Sequence, residues 1–133
     1  MLHVAARERL FCPIYCLMPD HLHLVWMGIC RQTDQLRAMA FLRTHLEPAL
    51  APYCFQHQPH DHVLGEKERT GGAFEAICSY IAANPVRDEL VPKAEDWRFS
   101  GAVVPGYPTL NPFQPDYWEK FWRIHSKQRE AQL

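Results

Sequence analysis

The chain has 133 residues, 47% hydrophobic and 12% aromatic, which is the size of one compact domain and excludes wholesale disorder. A formal charge of −1 excludes a globally basic nucleic-acid binder and leaves any such site to a local patch. Five cysteines without a CxxC pair, and a first decade carrying Arg7, Glu8 and Arg9 in place of an apolar leader, point to a reducing cytoplasm rather than a disulfide framework.

In chain order, residues 1–10 read as the end of a helix, with Val4, Ala5, Ala6 and Leu10 on one side. "FCPIYCL" and "HLHLVWM" are strand-like, and "MPD" between them has turn chemistry, so a β-hairpin is expected. "TDQLRAMAFLRTHL" is helical, capped by Thr33 or Asp34 and ended by Pro48 and Pro52. "YCFQHQPHDHVL" has strand-like ends, with Pro59 demoting it to an edge strand or bulge. "GGAFEAICSYIAANP" is the clearest helix, since Phe74, Ile77, Cys78 and Ile81 form one apolar stripe and Pro85 stops it. Beyond Leu90 the chain is rich in Pro, Gly and Trp and reads as an irregular wrap, closed by an amphipathic helix in "PDYWEKFWRIHSKQRE". The order predicts one α+β domain over residues 1–133, with a mixed or antiparallel sheet and helices on one face. Residues 1–90 form its core and 91–133 a C-terminal extension. No apolar run approaches the roughly 18 residues of a membrane span.

Three groups of residues carry chemistry. His21 and His23 sit at i and i+2, hence on one strand face. Two imidazoles so placed make half of a divalent-metal site, although the same pair serves equally as partly buried histidines bonded to backbone carbonyls. His57, His60 and His62 form a second run. A structural zinc site there would lack the usual paired thiolates, and His60 and His62 read better as groove histidines near phosphate. Tyr80 lies beside the apolar stripe of its helix, with Asn84 four residues on and so on the same face one turn later. The plain reading is a boundary tyrosine and a helix-terminal asparagine. The sharper one makes Tyr80 a nucleophile and Asn84 a metal or phosphate contact. A phenol, with a pKa of about 10, attacks only a strongly polarised electrophile. A phosphodiester held by a His-bound divalent cation is one.

"YCLMPDHLHLVW", "PHDHVL", "YIAANPVRDELV" and "EDWRFSG" occur in an order that resembles the REP-associated tyrosine transposases, of the HUH single-tyrosine class, over roughly residues 1–125. "HLH" is similar to the HUH motif and "YIAANPVR" to the tyrosine helix. The resemblance implies that Tyr80 is the nucleophile and that His21, His23 and Asn84 ligate Mg²⁺ or Mn²⁺. It implies a ferredoxin-like fold whose first strand is missing here. It also implies a bacterial, nucleoid-associated enzyme that cuts and rejoins single-stranded DNA at imperfect hairpins through a 5′-phosphotyrosine, as a monomer or a homodimer. Arg37, Arg43, Arg87 and Arg98 are candidates for contacts to the DNA backbone.

The sequence departs from that family at Asp88-Glu89, where Ala-Gly is usual, and at Gly65, where a basic residue is common. A glycine would end the turn at positive φ without strain, and Glu89 cannot. Two further functions stay in view. One is a non-catalytic, domesticated or decayed hairpin-DNA-binding module. The other is a small interaction domain stabilised by zinc at His57, His60 and His62.

Overall fold

The computed structural model describes residues 1–56 and 60–131. A short helix α1 (Leu2–Arg7) leads into β1 (Leu10–Leu17), which turns at Met18–His21 into β2 (Leu22–Gly28). Helix α2 (Gln35–Leu50), a single turn α3 (Glu66–Arg69), α4 (Ala73–Ala82) and the short α5 (Asn84–Arg87) follow. A 3₁₀ turn at Ala94–Asp96 precedes β3 (Ser100–Val103), and α6 (Tyr117–Ala131) closes the chain. The sheet has the order β2-β1-β3 and is antiparallel throughout. The protein is therefore α+β with an antiparallel sheet, as the element pattern predicts.

β1 is the central strand, and its sequence explains why. Leu10, Phe11, Cys12, Pro13, Ile14 and Cys16 are all buried, the near-continuous apolar run of a strand covered on both faces. A proline is tolerated there only at a break in the ladder. The register of β1 shifts between Phe11 and Ile14 against β2, and between Cys12 and Tyr15 against β3, which brackets Pro13 on both sides. Its freed carbonyl accepts a buried 2.6 Å hydrogen bond from the Tyr117 hydroxyl of α6.

Four expectations need correction. First, the helices cover both faces of the sheet and not one. Leu22, Leu24 and Trp26 of β2 pack with Val4, Ala5, Ala38 and Leu42 of α1 and α2. Val25 and Met27, which alternate with them, pack with Phe74, Cys78 and Ala82 of α4 and with Trp118 and Trp122 of α6. Second, no strand lies in the described part of residues 53–64: 53–56 and 60–65 are irregular, and residues 57–59, Pro59 among them, lie outside the described residues. The free side of β1 is taken instead by residues 100–103, where Gly101 lets the two strands close. A side chain there would meet the Tyr15 hydroxyl at 2.9 Å. Residues 91–133 thus supply a strand and a core helix and are no mere wrap. Third, α2 runs through Pro48 and stops only at Ala51, whose extended ψ of 139° is the geometry forced on a residue before proline. Fourth, α4 does end ahead of Pro85, at Ala82, but the residue before the proline is not extended: Asn84 opens α5, with Pro85 in its first turn, where a missing N–H costs nothing.

The strain expected at Glu89 is present. Its φ is 58°, as the chain leaves α5 with Glu89 N–H donating to Val86 O and Leu90 N–H to Pro85 O. A left-handed conformation costs a side-chain-bearing residue about 1–2 kcal/mol. Glu89→Gly should therefore stabilise the fold by about 1 kcal/mol after its own entropy loss, read as a higher denaturant midpoint at unchanged slope.

Candidate functional site at the start of strand β2

His21 precedes β2 and His23 is its second residue. Their rings meet edge to face with centroids 4.6 Å apart, so the shared face expected from i, i+2 spacing is real. His21 Nδ1 is 2.5 Å from Asp20 Oδ1. An Nδ1–H donated to that carboxylate leaves Nε2 with its lone pair turned outward, the arrangement by which a carboxylate readies a histidine as a ligand. The same bond holds the Asp20 carboxyl below its usual range.

His23 opens one cross-strand row. It pairs with Cys16 of β1, which pairs with Ser100 of β3, and directly opposed residues share a face. That is the face on which α4 packs, so the row lies under the C-terminal end of α4 and the start of α5. Tyr80, on the outer side of α4, is 65% exposed. Asn84 opens α5 and Arg87 ends it. The guanidinium of Arg87 gathers these parts. Its Cζ lies 3.7 Å from the centroid of the Tyr80 ring, and its Nη2 donates to Asn84 Oδ1. Its charge acts on both His23 and Cys16. Two buried polar atoms here are unsatisfied. Asn84 Nδ2 has no partner, and the Ser100 hydroxyl lies beside Cys16 without a well-formed hydrogen bond. Such orphans cost free energy unless something binds.

The electrostatics favour ligand-ready imidazole. Partial burial, then the charges of His21 and Arg87, hold His23 below the ordinary histidine range, so it is neutral at neutral pH. His125 of α6 is lowered likewise, by burial and then by Arg129. For both, the unfolded chain binds a proton below about pH 6.5 while the folded chain resists it. Stability is therefore fully present above that pH and falls as the pH drops toward the folded values. The denaturation midpoint should be lower at pH 5.5 than at pH 7.5. His125→Gln should flatten part of that slope.

The other candidate residues do not all join this site. Arg98 does lie at the same end of the sheet, stacked over Phe99 at 4.7 Å, where Leu17 N–H donates to Phe99 O and Trp97 Nε1 donates to Leu17 O. Arg37 and Arg43 belong to α2, on the opposite face of the sheet. Arg37 is 3.3 Å from the Glu8 carboxylate, which is only 7% exposed, and Arg43 donates to the Gln56 carbonyl and lies over Phe55. His62 Nε2 engages Glu68 at 3.0 Å, and His60 is exposed. His57 lies outside the described residues. Among the described residues no three His, Cys, Asp or Glu side chains gather into a metal-holding group.

Sequence reading missed the Cys16–Ser100 side of the row, because β3 was not expected, and missed Arg87 as the hub. The spacing of Arg87 was a usable signal, since it follows Asn84 by three residues and so shares its helical face.

Comparison with family models, curated proteins and solved structures finds no match to the chain. Among the described residues no helix is long and apolar enough to cross a membrane.

Proposed function

We propose that the chain is a metal-dependent single-stranded DNA transposase or endonuclease that cuts and rejoins hairpin DNA through a 5′-phosphotyrosine. The observation that carries this reading is the meeting of Tyr80 and Asn84 at the guanidinium of Arg87, whose charge also reaches His23. An exposed phenol, two imidazoles on one face and an always-charged phosphate-binding group stand at one end of the sheet. The exposed ring of Phe99 and Arg98 nearby offer a base-stacking surface and a further positive charge.

The donor set fits Mg²⁺ or Mn²⁺. Nε2 of His21, a ring nitrogen of His23 and Oδ1 of Asn84 are three donors, and the remaining positions fall to water and substrate. The unsatisfied Nδ2 of Asn84 is a donor, free to serve a phosphodiester oxygen while Oδ1 faces the cation. When bound, a divalent cation there would polarise a phosphodiester oxygen and offset charge developing in the transition state. Asp20 fixes the ring of His21, and Arg87 accepts the phosphodiester as a bidentate clamp. The Tyr80 hydroxyl gives up its proton to water as its oxygen attacks phosphorus, the bond to the 3′-oxygen breaks, and that oxygen takes a proton from water and leaves as a hydroxyl. The new ester conserves the energy of the old one, so the 3′-hydroxyl of another strand can reverse the step.

The test is to incubate the intact protein with imperfect-hairpin oligonucleotides labelled at their 3′ ends, with Mn²⁺ or with a chelator, and to resolve the products on a denaturing gel. A labelled protein–DNA adduct is expected with metal and none with chelator. Hairpin binding with a marked salt dependence, and no adduct under any metal, would favour the non-catalytic DNA-binding module instead.

A further inference from the structure

We propose that Arg87 is a gate that couples metal binding to phosphate binding, holding the metal site shut until a phosphodiester arrives. The inference rests on the functional reading above and deepens it. Arg87 donates to Asn84 Oδ1, the one atom of that amide able to ligate a cation, so the guanidinium and the metal compete for the same lone pairs. A fixed positive charge that reaches His23 also opposes a second cation at the imidazole pair. Arg87 is exposed and its Nη2 is committed to a single amide, which is a weaker partner than a phosphate. A phosphodiester offers the guanidinium two hydrogen bonds to an anion in place of one to a neutral amide. Moving onto it frees Asn84 Oδ1 and cancels the repelling charge. Stacking on the Tyr80 ring at 3.7 Å keeps the guanidinium beside the nucleophile, so the phosphate it captures is delivered there. Metal and DNA then raise each other's affinity by the same factor, as linkage requires.

Arg87 is a positioning residue for the metal, and its test reads metal affinity rather than activity. Mn²⁺ binding is measured by calorimetry on Tyr80→Phe protein, which keeps the ring and cannot cleave, with and without a single-stranded oligonucleotide. DNA is expected to tighten Mn²⁺ binding about tenfold, within the usual range of couplings between sites. Adding Arg87→Ala should tighten binding about as much without DNA and reduce the effect of DNA to about twofold. Arg87→Lys keeps the charge but loses the planar fork, and should fall between the two. Equal Mn²⁺ affinity in the parent and Arg87→Ala proteins would overturn the gate while leaving the metal site standing. Binding that His21→Ala and His23→Ala do not weaken, or no binding with or without DNA, would overturn the metal site itself. Circular dichroism on each variant separates loss of binding from loss of fold.

Discussion

Tyr80→Phe is expected to abolish the covalent protein–DNA adduct while leaving folding and hairpin binding intact. The change deletes one oxygen from a side chain that is 65% exposed and keeps the ring on which Arg87 stacks, so stability should move by no more than about 0.5 kcal/mol. Removing the nucleophile of a covalent enzyme costs on the order of 10⁶ in rate, which takes the adduct below detection. The other tyrosines make the result sharp. Tyr117 is 1% exposed, its hydroxyl is committed to Pro13 O, and burial pushes its ionisation up. The ring of Tyr15 lies against Gly101. Tyr53 is 80% exposed and is the residue to replace next if Tyr80→Phe still forms an adduct. That outcome would sink the proposed mechanism.

The second large effect concerns the scaffold. Phe121→Ala should cost about 3–5 kcal/mol, a large part of the roughly 5–15 kcal/mol that holds a domain folded. Phe121 is fully buried and is the hub of an aromatic cluster. It meets Phe11 of β1 edge-on at 5.9 Å and also packs on Tyr117, Trp118, Trp122 and His125. Its neighbours Trp118 and Trp122 lie 5.8 and 5.5 Å from Phe74 of α4, and Trp122 Nε1 donates to Glu75. A cavity at Phe121 therefore loosens the backing of the helix that presents Tyr80. Both the urea midpoint and adduct formation should fall. If the midpoint holds within about 1 kcal/mol, α6 is not the support that its packing indicates.

Much of the candidate site was legible because it depends on local periodicity. The i, i+2 spacing brings the rings of His21 and His23 together, whereas Tyr80 and Asn84, on either side of the helix break at Ala83, are linked through Arg87. The helices α2, α4 and α6 were legible for the same reason. What escaped the sequence was pairing. "SGAV" has four residues and a glycine, too little for a strand signal, and it becomes a strand only because β1 offers a vacant edge and Tyr15 fits over Gly101. "YCFQ" and "HDHVL" have better strand composition and find no strand partner among the described residues. The burial of β1 on both faces was written in its unbroken apolar run, yet the second layer of helices could be placed only once α6 was seen to pack with α4. The glutamate at positive φ was legible only through the resemblance, which puts a glycine at this turn; residue type alone predicts no positive φ for a glutamate.

The hydrogen bond from Tyr117 to Pro13 joins residues 104 positions apart in sequence, and β3 reaches back to β1 over nearly as long a span. The break in the ladder at Pro13 is thus filled by α6, more than a hundred residues further along the chain. A chain emerging from the ribosome can form α2 and α4 early, but its central strand stays half-paired until residues 100–103 are out. High contact order of this kind slows folding. Refolding should be slower than the helix content suggests, and the histidine-bearing hairpin should gain protection from amide exchange only in the final phase, together with α6.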